Sequence, residues 1–149
     1  MERLENSFPF LAKYLELILV DSCNAFYLNP LVLEQGVGVK PHIDSSLSTE
    51  ELKLNPQIVS VFYVSVPEDM KGGELVLQKR NGQTAQIKPQ SNSLLHFKGD
   101  LKHFVNPVQS CQPRISLVCE QYQLSEENLK KFFEFKIHSA SANTQYLKV

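Results

Sequence analysis

The sequence predicts a mainly β fold, a jelly roll or cupin-like barrel with flanking N- and C-terminal helices. Three observations carry that expectation. Short runs rich in β-branched and aromatic residues, IVSVFYVSV above all, recur between Gly, Pro and Asn and give roughly eight strand candidates. ELVLQK and TAQIKP flank Asn81-Gly82, a strong hairpin signal. No long helical pattern separates the strands, which argues against a parallel doubly wound sheet and for an antiparallel barrel.

In chain order, FPFLAKYLELILV reads as a helix. Phe10, Leu11, Tyr14, Leu15, Ile18 and Leu19 recur at spacings of three and four. Ser7 is a candidate N-cap, and Pro9 fits the first turn. Residues 21–24 read as a break, followed by AFYL and LVLEQ as two short strands. From about residue 36 the texture is β-rich, and VGVKPH leads to His42. SSLSTEELKLNP reads as a loop with room for one helical turn, IVSVFYVSV as the clearest strand and PEDMKGG as a turn. NSLLHF, KHFVNPV and PRISLVCEQYQL supply further strands. SEENLKKFFEFKI returns to helical texture. Ser125 can cap it, Glu126 and Glu127 suit its first turn, and Leu129, Phe132, Phe133 and Ile137 form an apolar stripe. That stripe packs on the barrel or, alternatively, serves as a dimer contact. Residues 139–149 read as a loosely ordered tail. The expectation is one domain over residues 1–149, with a β core at about 26–124 and no repeat or long linker.

Composition narrows the function classes. The chain has 149 residues, 42% hydrophobic and 21% charged, as in an ordinary soluble domain. A formal charge of -1 and scattered Lys and Arg give no electrostatic case for nucleic acid. LELILV is interrupted by Glu16 and is too short to span a membrane. No basic leader with an apolar stretch and small-residue cleavage site is read, so an intracellular, cytoplasmic protein is expected. Cys23, Cys111 and Cys119 match neither a disulfide framework nor a zinc spacing, which fits a reducing compartment.

The chemistry-bearing residues begin with GVGVKPHIDSS. His42 and Asp44 stand one residue apart at the end of a strand candidate, so both can point to the same side. A His-x-Asp string occurs by chance in many proteins, and a histidine beside a carboxylate is often only a surface pair. Here, however, a further histidine follows about sixty residues later and an arginine opens the last strand. His96 in LLHF and His103 in KHFVNPV compete for the second position. His96 reads as a barrel-lining or edge residue, whereas the Gly99-Asp100 turn puts His103 at a strand opening. His138 falls in the tail. Two histidines and one carboxylate form the facial triad of non-haem Fe(II) oxygenases, which leaves half the octahedron open. Arg114 and Ser116 share a strand face with Val118. A charge pointing into a barrel needs a charged partner. That partner could be the carboxylate of a small ligand held in bidentate fashion, or Glu74 or Glu120 in a rim salt bridge. Tyr63 shares a face with Val59 and Val61 and either brings its hydroxyl to the same ligand or is plain core.

The order His-x-Asp, His, Arg-x-Ser resembles that of the Fe(II)- and 2-oxoglutarate-dependent dioxygenases, especially the prolyl hydroxylase-like branch. The resemblance runs from about Leu31 to Tyr122 and includes PHID, VFYVSV followed by KGGELVL, HFKGDLKHFVNPV and PRISL. KGGELVL is informative because Gly-Gly-x-Leu commonly follows this strand in that branch. The resemblance implies a double-stranded β-helix. It implies Fe(II) on His42, Asp44 and His103, which decides between His96 and His103. It also implies 2-oxoglutarate on Arg114, Ser116 and Tyr63, with ascorbate as a stimulant. Many relatives carry another tyrosine before the first iron ligand, where this chain has Gln35 in LVLEQGVGVK.

The implied activity is hydroxylation of an amino acid, peptide or small metabolite, with succinate and CO2 as co-products. Related halogenases lack the carboxylate ligand, so Asp44 favours an oxygenase outcome. The same machinery could demethylate, desaturate or cyclise. A cupin-like barrel could instead bind a metal or small ligand without catalysis. The expected partner is a small-molecule or peptide substrate, with no nucleic acid and no membrane, and a dimer stays open. Substrate choice would rest with SSLSTEELKLNP and the first helix.

Overall fold

Asn81-Gly82 is the point about which the chain folds back on itself. The structure, a computed structural model, describes residues 8–132 together with the backbone of 136–137 and 145–146. It divides into two compact units, Ser22–Gln123 and Met1–Asp21 with Leu124–Val149.

The first unit contains ten strands: β1 (Ala25–Leu33), β2 (Val39–His42), β3 (Ile58–Ser65), β4 (Lys71–Gly72), β5 (Leu75–Gln78), β6 (Thr84–Ile87), β7 (Ser93–Lys98), β8 (Lys102–Val105), β9 (Val108–Gln109) and β10 (Arg114–Tyr122). Their pairing is nested around the hairpin. β5 pairs β6, β3 pairs β7, β2 pairs β8 and β1 pairs β10, all antiparallel. Lateral pairs β10–β3 and β5–β8 then complete two four-stranded sheets, ordered β1-β10-β3-β7 and β2-β8-β5-β6. This is the rolled arrangement of a jelly roll, as the strand count and the Asn-Gly turn predict.

The two sheets share one core, because alternate residues of each strand face inward. Val59, Val61 and Tyr63 of β3, Leu33 of β1 and Phe97 of β7 meet Leu75 of β5 and Val105 of β8, with Met70 and Val108 closing the cluster. The Gly-Gly of KGGELVL has a local cause. Gly72 has φ +70, and a Cβ there would come within 2.1 Å of the Pro107 carbonyl oxygen, so β4 and β9 can pair only with glycine at this place.

Several elements differ from expectation. AFYL and LVLEQ are not two strands but parts of one, β1, which runs straight through Asn29-Pro30. Proline is tolerated because β1 is an edge strand, bonded only to β10. SSLSTEELKLNP forms bends and turns without a helical turn. Its capacity for side-chain bonding prevails, with Ser48 Oγ accepting from the Leu54 amide at 2.8 Å and donating to the Leu54 carbonyl at 2.9 Å.

In the second unit, a 3-10 turn at Pro9–Leu11 leads into α1 (Ala12–Ile18). Leu15 and Ile18 are buried as the spacing predicts, but Phe10 is 76% exposed. Ser7 lies outside the described residues, and Phe8 takes the cap position without a side-chain hydrogen bond. The second helix, α2, spans only Glu126–Leu129, with Ser125 accepting from the Asn128 amide as predicted for a cap. The helix does not reach Ile137, which sits in a two-residue strand, Lys136–Ile137, paired with Gln145–Tyr146. The physical signal is in FEFKI, which alternates apolar and polar residues with the period of a strand. Phe133 and His138, and most of residues 139–149, lie outside the described residues.

Substituting the tight glycine tests this account of the roll. Gly72→Ala should cost at least about 2 kcal/mol, combining a left-handed backbone penalty with a backbone clash. Gly82→Ala, at φ +83 with nothing within 4 Å of its would-be Cβ, should cost only about 1 kcal/mol. Denaturant unfolding of the two variants measures the difference.

Candidate functional site

The site is built on the register of β2 against β8. His42 and His103 are direct cross-strand partners, with ring centroids 4.4 Å apart. Each imidazole is oriented in the same way. His42 Nδ1 lies 2.8 Å from the Lys40 carbonyl and His103 Nδ1 lies 3.0 Å from the Leu101 carbonyl, in both cases two residues back along the chain. A carbonyl only accepts, so these contacts place the proton on Nδ1 and leave each Nε2 with a free lone pair. Both Nε2 atoms face Asp44, His42 at 3.0 Å from Oδ1 and His103 at 3.4 Å from Oδ2. Asp44 Oδ2 is buried and accepts no hydrogen bond among the described residues.

Three lone-pair donors thus converge, one ligand atom from each residue lying within 4.8 Å of the others. Lone pairs turned toward a carboxylate repel it unless a proton or a cation lies among them. Burial pushes the His103 imidazole below its ordinary value, against the pull of the Leu101 carbonyl and the Asp44 charge. A divalent cation among the three donors would relieve that repulsion. Two imidazoles and one carboxylate suit a divalent first-row metal, and His42, Asp44 and His103 are the residues that could hold it. Phe97 packs edge-on against His103 at 4.9 Å and fixes the ring from the other sheet.

The second cluster lies on the inward face of the major sheet. Ser116 is the register partner of Tyr63, and the Arg114 guanidinium carbon sits 4.8 Å over the Tyr63 ring. Arg114 is 1% exposed, yet among the described residues its Nε and Nη1 find no hydrogen-bond partner, nor do the Tyr63 hydroxyl and Ser116 Oγ. Burial lowers the Arg114 pKa and raises that of Tyr63, in each case against the attraction between the two groups. The salt bridges considered from the sequence do not form. Glu74 accepts from Asn106 Nδ2 at 3.0 Å, and Glu120 is engaged by Ser46 and Tyr122. A buried guanidinium beside two unbonded hydroxyls is a cradle for a carboxylate.

Other candidates fall away from this interior. His96 sits on the opposite face of β7 from Phe97, is exposed, and shares a hydrogen bond with Ser60 Oγ at 2.9 Å. Gln35 is an exposed turn residue. Glu120 and Tyr122 are residues whose role the sequence reading missed. They continue the period-two row Arg114, Ser116, Val118, and a charged residue on the inward face of an apolar strand is the signal that could have found them. Tyr122 donates to Glu120, and burial together with that carboxylate holds its hydroxyl far above the ordinary phenol range.

Comparison with known proteins agrees with this geometry. A sequence model described as the 2OG-Fe(II) oxygenase superfamily matches residues 27–119. A PKHD-type hydroxylase of Shewanella baltica (strain OS155) is 29% identical over 107 residues, covering 69% of this chain and 47% of that protein. The chain spans less than half the length of the curated relatives it matches. Among solved structures, a 2OG-Fe(II) oxygenase family oxidoreductase from Burkholderia pseudomallei aligns with a TM-score of 0.59 at 14% identity, over 81% of this chain and 56% of that one. A Pseudomonas putida prolyl-4-hydroxylase aligns at 0.56 and 17%, over 80% and 63%. These two likenesses establish the fold.

The unbonded hydroxyls generate a stability test. Leaving a buried donor unpaired costs about 1–3 kcal/mol. Tyr63→Phe and Ser116→Ala are therefore each expected to stabilise the ligand-free protein by about 1 kcal/mol, while weakening binding of a small dicarboxylate. Denaturant unfolding, paired with calorimetric titration of 2-oxoglutarate, reads both effects. Destabilisation of the ligand-free protein by both substitutions would show that these groups are satisfied within the fold.

Proposed function

The chain belongs to the 2OG-Fe(II) oxygenase superfamily, and from that premise we propose that it hydroxylates an amino acid, peptide or small metabolite, with 2-oxoglutarate as co-substrate and succinate and CO2 as co-products. One observation carries the reading. The barrel that brings His42, Asp44 and His103 together also buries Arg114 with its Nε and Nη1 unbonded among the described residues.

Bound Fe(II) would supply, with 2-oxoglutarate and oxygen, the oxidation of a substrate C–H bond. The chain's own residues arrange the participants. His42 and His103 present Nε2 because Lys40 and Leu101 hold their Nδ1 protons. Asp44 adds the negative charge that favours a divalent ion, and three ligands leave the remaining coordination positions open. Arg114 grips the distal carboxylate of the co-substrate, with the Tyr63 and Ser116 hydroxyls as further donors. Because Arg114, Tyr63 and Ser116 are almost fully buried, water is excluded around that carboxylate and each contact gains strength from the low dielectric. The hydroxylase names of the curated relatives support hydroxylation as the outcome.

Turnover without added substrate tests the reading. Protein purified anaerobically and supplied with Fe(II), ascorbate, oxygen and 2-oxoglutarate is expected to release succinate. Asp44→Ala should abolish that release. Arg114→Gln should raise the KM for 2-oxoglutarate by at least about tenfold, since it removes a charged hydrogen bond worth about 1.5–3 kcal/mol. Absence of succinate across a panel of amino acids and peptides would favour a metal- or ligand-binding module without catalysis.

A further inference from the structure

We propose that Glu120 is a positioning residue for the metal centre, holding Asp44 in place through Ser46. The inference rests on the metal reading above and goes beyond it. Asp44 stands past the end of β2, whose last ladder pair is His42 with His103. No strand bond therefore fixes the carboxylate ligand, although it must face two rings that are fixed.

The brace comes from the opposite sheet. Glu120 lies in β10, between Tyr27 of β1 and Val59 of β3, and is 4% exposed. Its Oε2 accepts from the Ser46 backbone amide at 3.0 Å, and its Oε1 accepts from Ser46 Oγ. Both donors belong to the residue two positions beyond Asp44. The Tyr122 hydroxyl donates to the same Oε2 and also accepts from the Leu47 amide at 3.4 Å. The buried carboxylate thus clamps Ser46 directly and Leu47 through Tyr122, two consecutive residues of the segment that carries the ligand. Charge-assisted bonds of this kind are the stronger ones, and in a dry interior they lock orientation. Ser46 is itself exposed, so its bonds to Glu120 are not a by-product of core packing. The six steps from Arg114 to Glu120 span about 20 Å of extended strand. That length assigns the two inward charges of β10 to separate tasks, Arg114 to an acidic ligand and Glu120 to the ligand loop.

The test uses the full chain with Mn(II) alone as probe, followed by electron paramagnetic resonance. Wild-type protein is expected to bind Mn(II). Glu120→Gln keeps the shape but turns one acceptor into a donor facing Ser46 or Tyr122, and is expected to weaken Mn(II) binding by about 10–100-fold. Ser46→Ala removes one bond from an exposed side chain and should weaken binding by about 2–10-fold. The double variant should bind no more weakly than Glu120→Gln alone, because the two residues act as one unit. Amide hydrogen exchange should quicken at residues 45–48 in Glu120→Gln and stay unchanged in β3, a split that general destabilisation would not produce. Wild-type affinity in both single variants, or losses that simply add, would overturn the proposal. If Glu120→Gln does not fold, Ser46→Ala decides alone, and unchanged affinity there overturns it. A wild-type protein that takes up no Mn(II) would instead overturn the metal reading itself.

Discussion

Everything in this barrel depends on the register of β2 against β8. Side chains alternate across a strand, so a slip of one residue would send His42 or His103 to the outer face. The nested pairing around Asn81-Gly82 prevents that slip, because β8 is also bonded to β5, with Leu77 opposite His103. The hairpin fixes β5 against β6, β5 fixes β8, and β8 fixes β2. A turn at the far tip of the roll therefore determines which atoms meet at the site. Once the two rings are opposed, the Lys40 and Leu101 carbonyls, each two residues back, choose the same tautomer for both.

The inward row of β10 explains the division of labour between the sheets. A buried charge is costly unless it is paired. Glu120 finds its partners within the protein, in Ser46 and Tyr122. Arg114 has Tyr63 beneath it but unbonded nitrogens. The first is a charge spent on architecture, and the second is, in the proposed function, the partner of the co-substrate carboxylate. The minor sheet carries His42 and His103, the major sheet carries Arg114, Ser116 and Tyr63, and Phe97 against His103 joins the two.

Much of this was legible in the residues. Asn81-Gly82 marked the fold-back point, and IVSVFYVSV marked β3, because turn chemistry and strand period are local signals. PHID could be read because its His and Asp stand one residue apart at a strand end, and the family resemblance decided between His103 and His96. Other features depended on partners distant in sequence. β1 passes through Pro30 only because it is an edge strand, which local text does not disclose. α2 ends at Leu129, and Ile137, which a helical stripe would include, lies in a two-residue strand paired with Gln145–Tyr146. Glu120 looked like a rim acid for Arg114, and its real partner, Ser46, is separated from it by 74 residues.

The most direct test is a crystal structure of the protein grown with Mn(II) and 2-oxoglutarate without oxygen, with the metal located by its anomalous signal. The account predicts one metal bound by Nε2 of His42, Nε2 of His103 and a carboxylate oxygen of Asp44, chelated by 2-oxoglutarate whose distal carboxylate reaches Arg114. A metal held elsewhere, or an Arg114 paired with a protein carboxylate while 2-oxoglutarate is absent from the barrel, would contradict it.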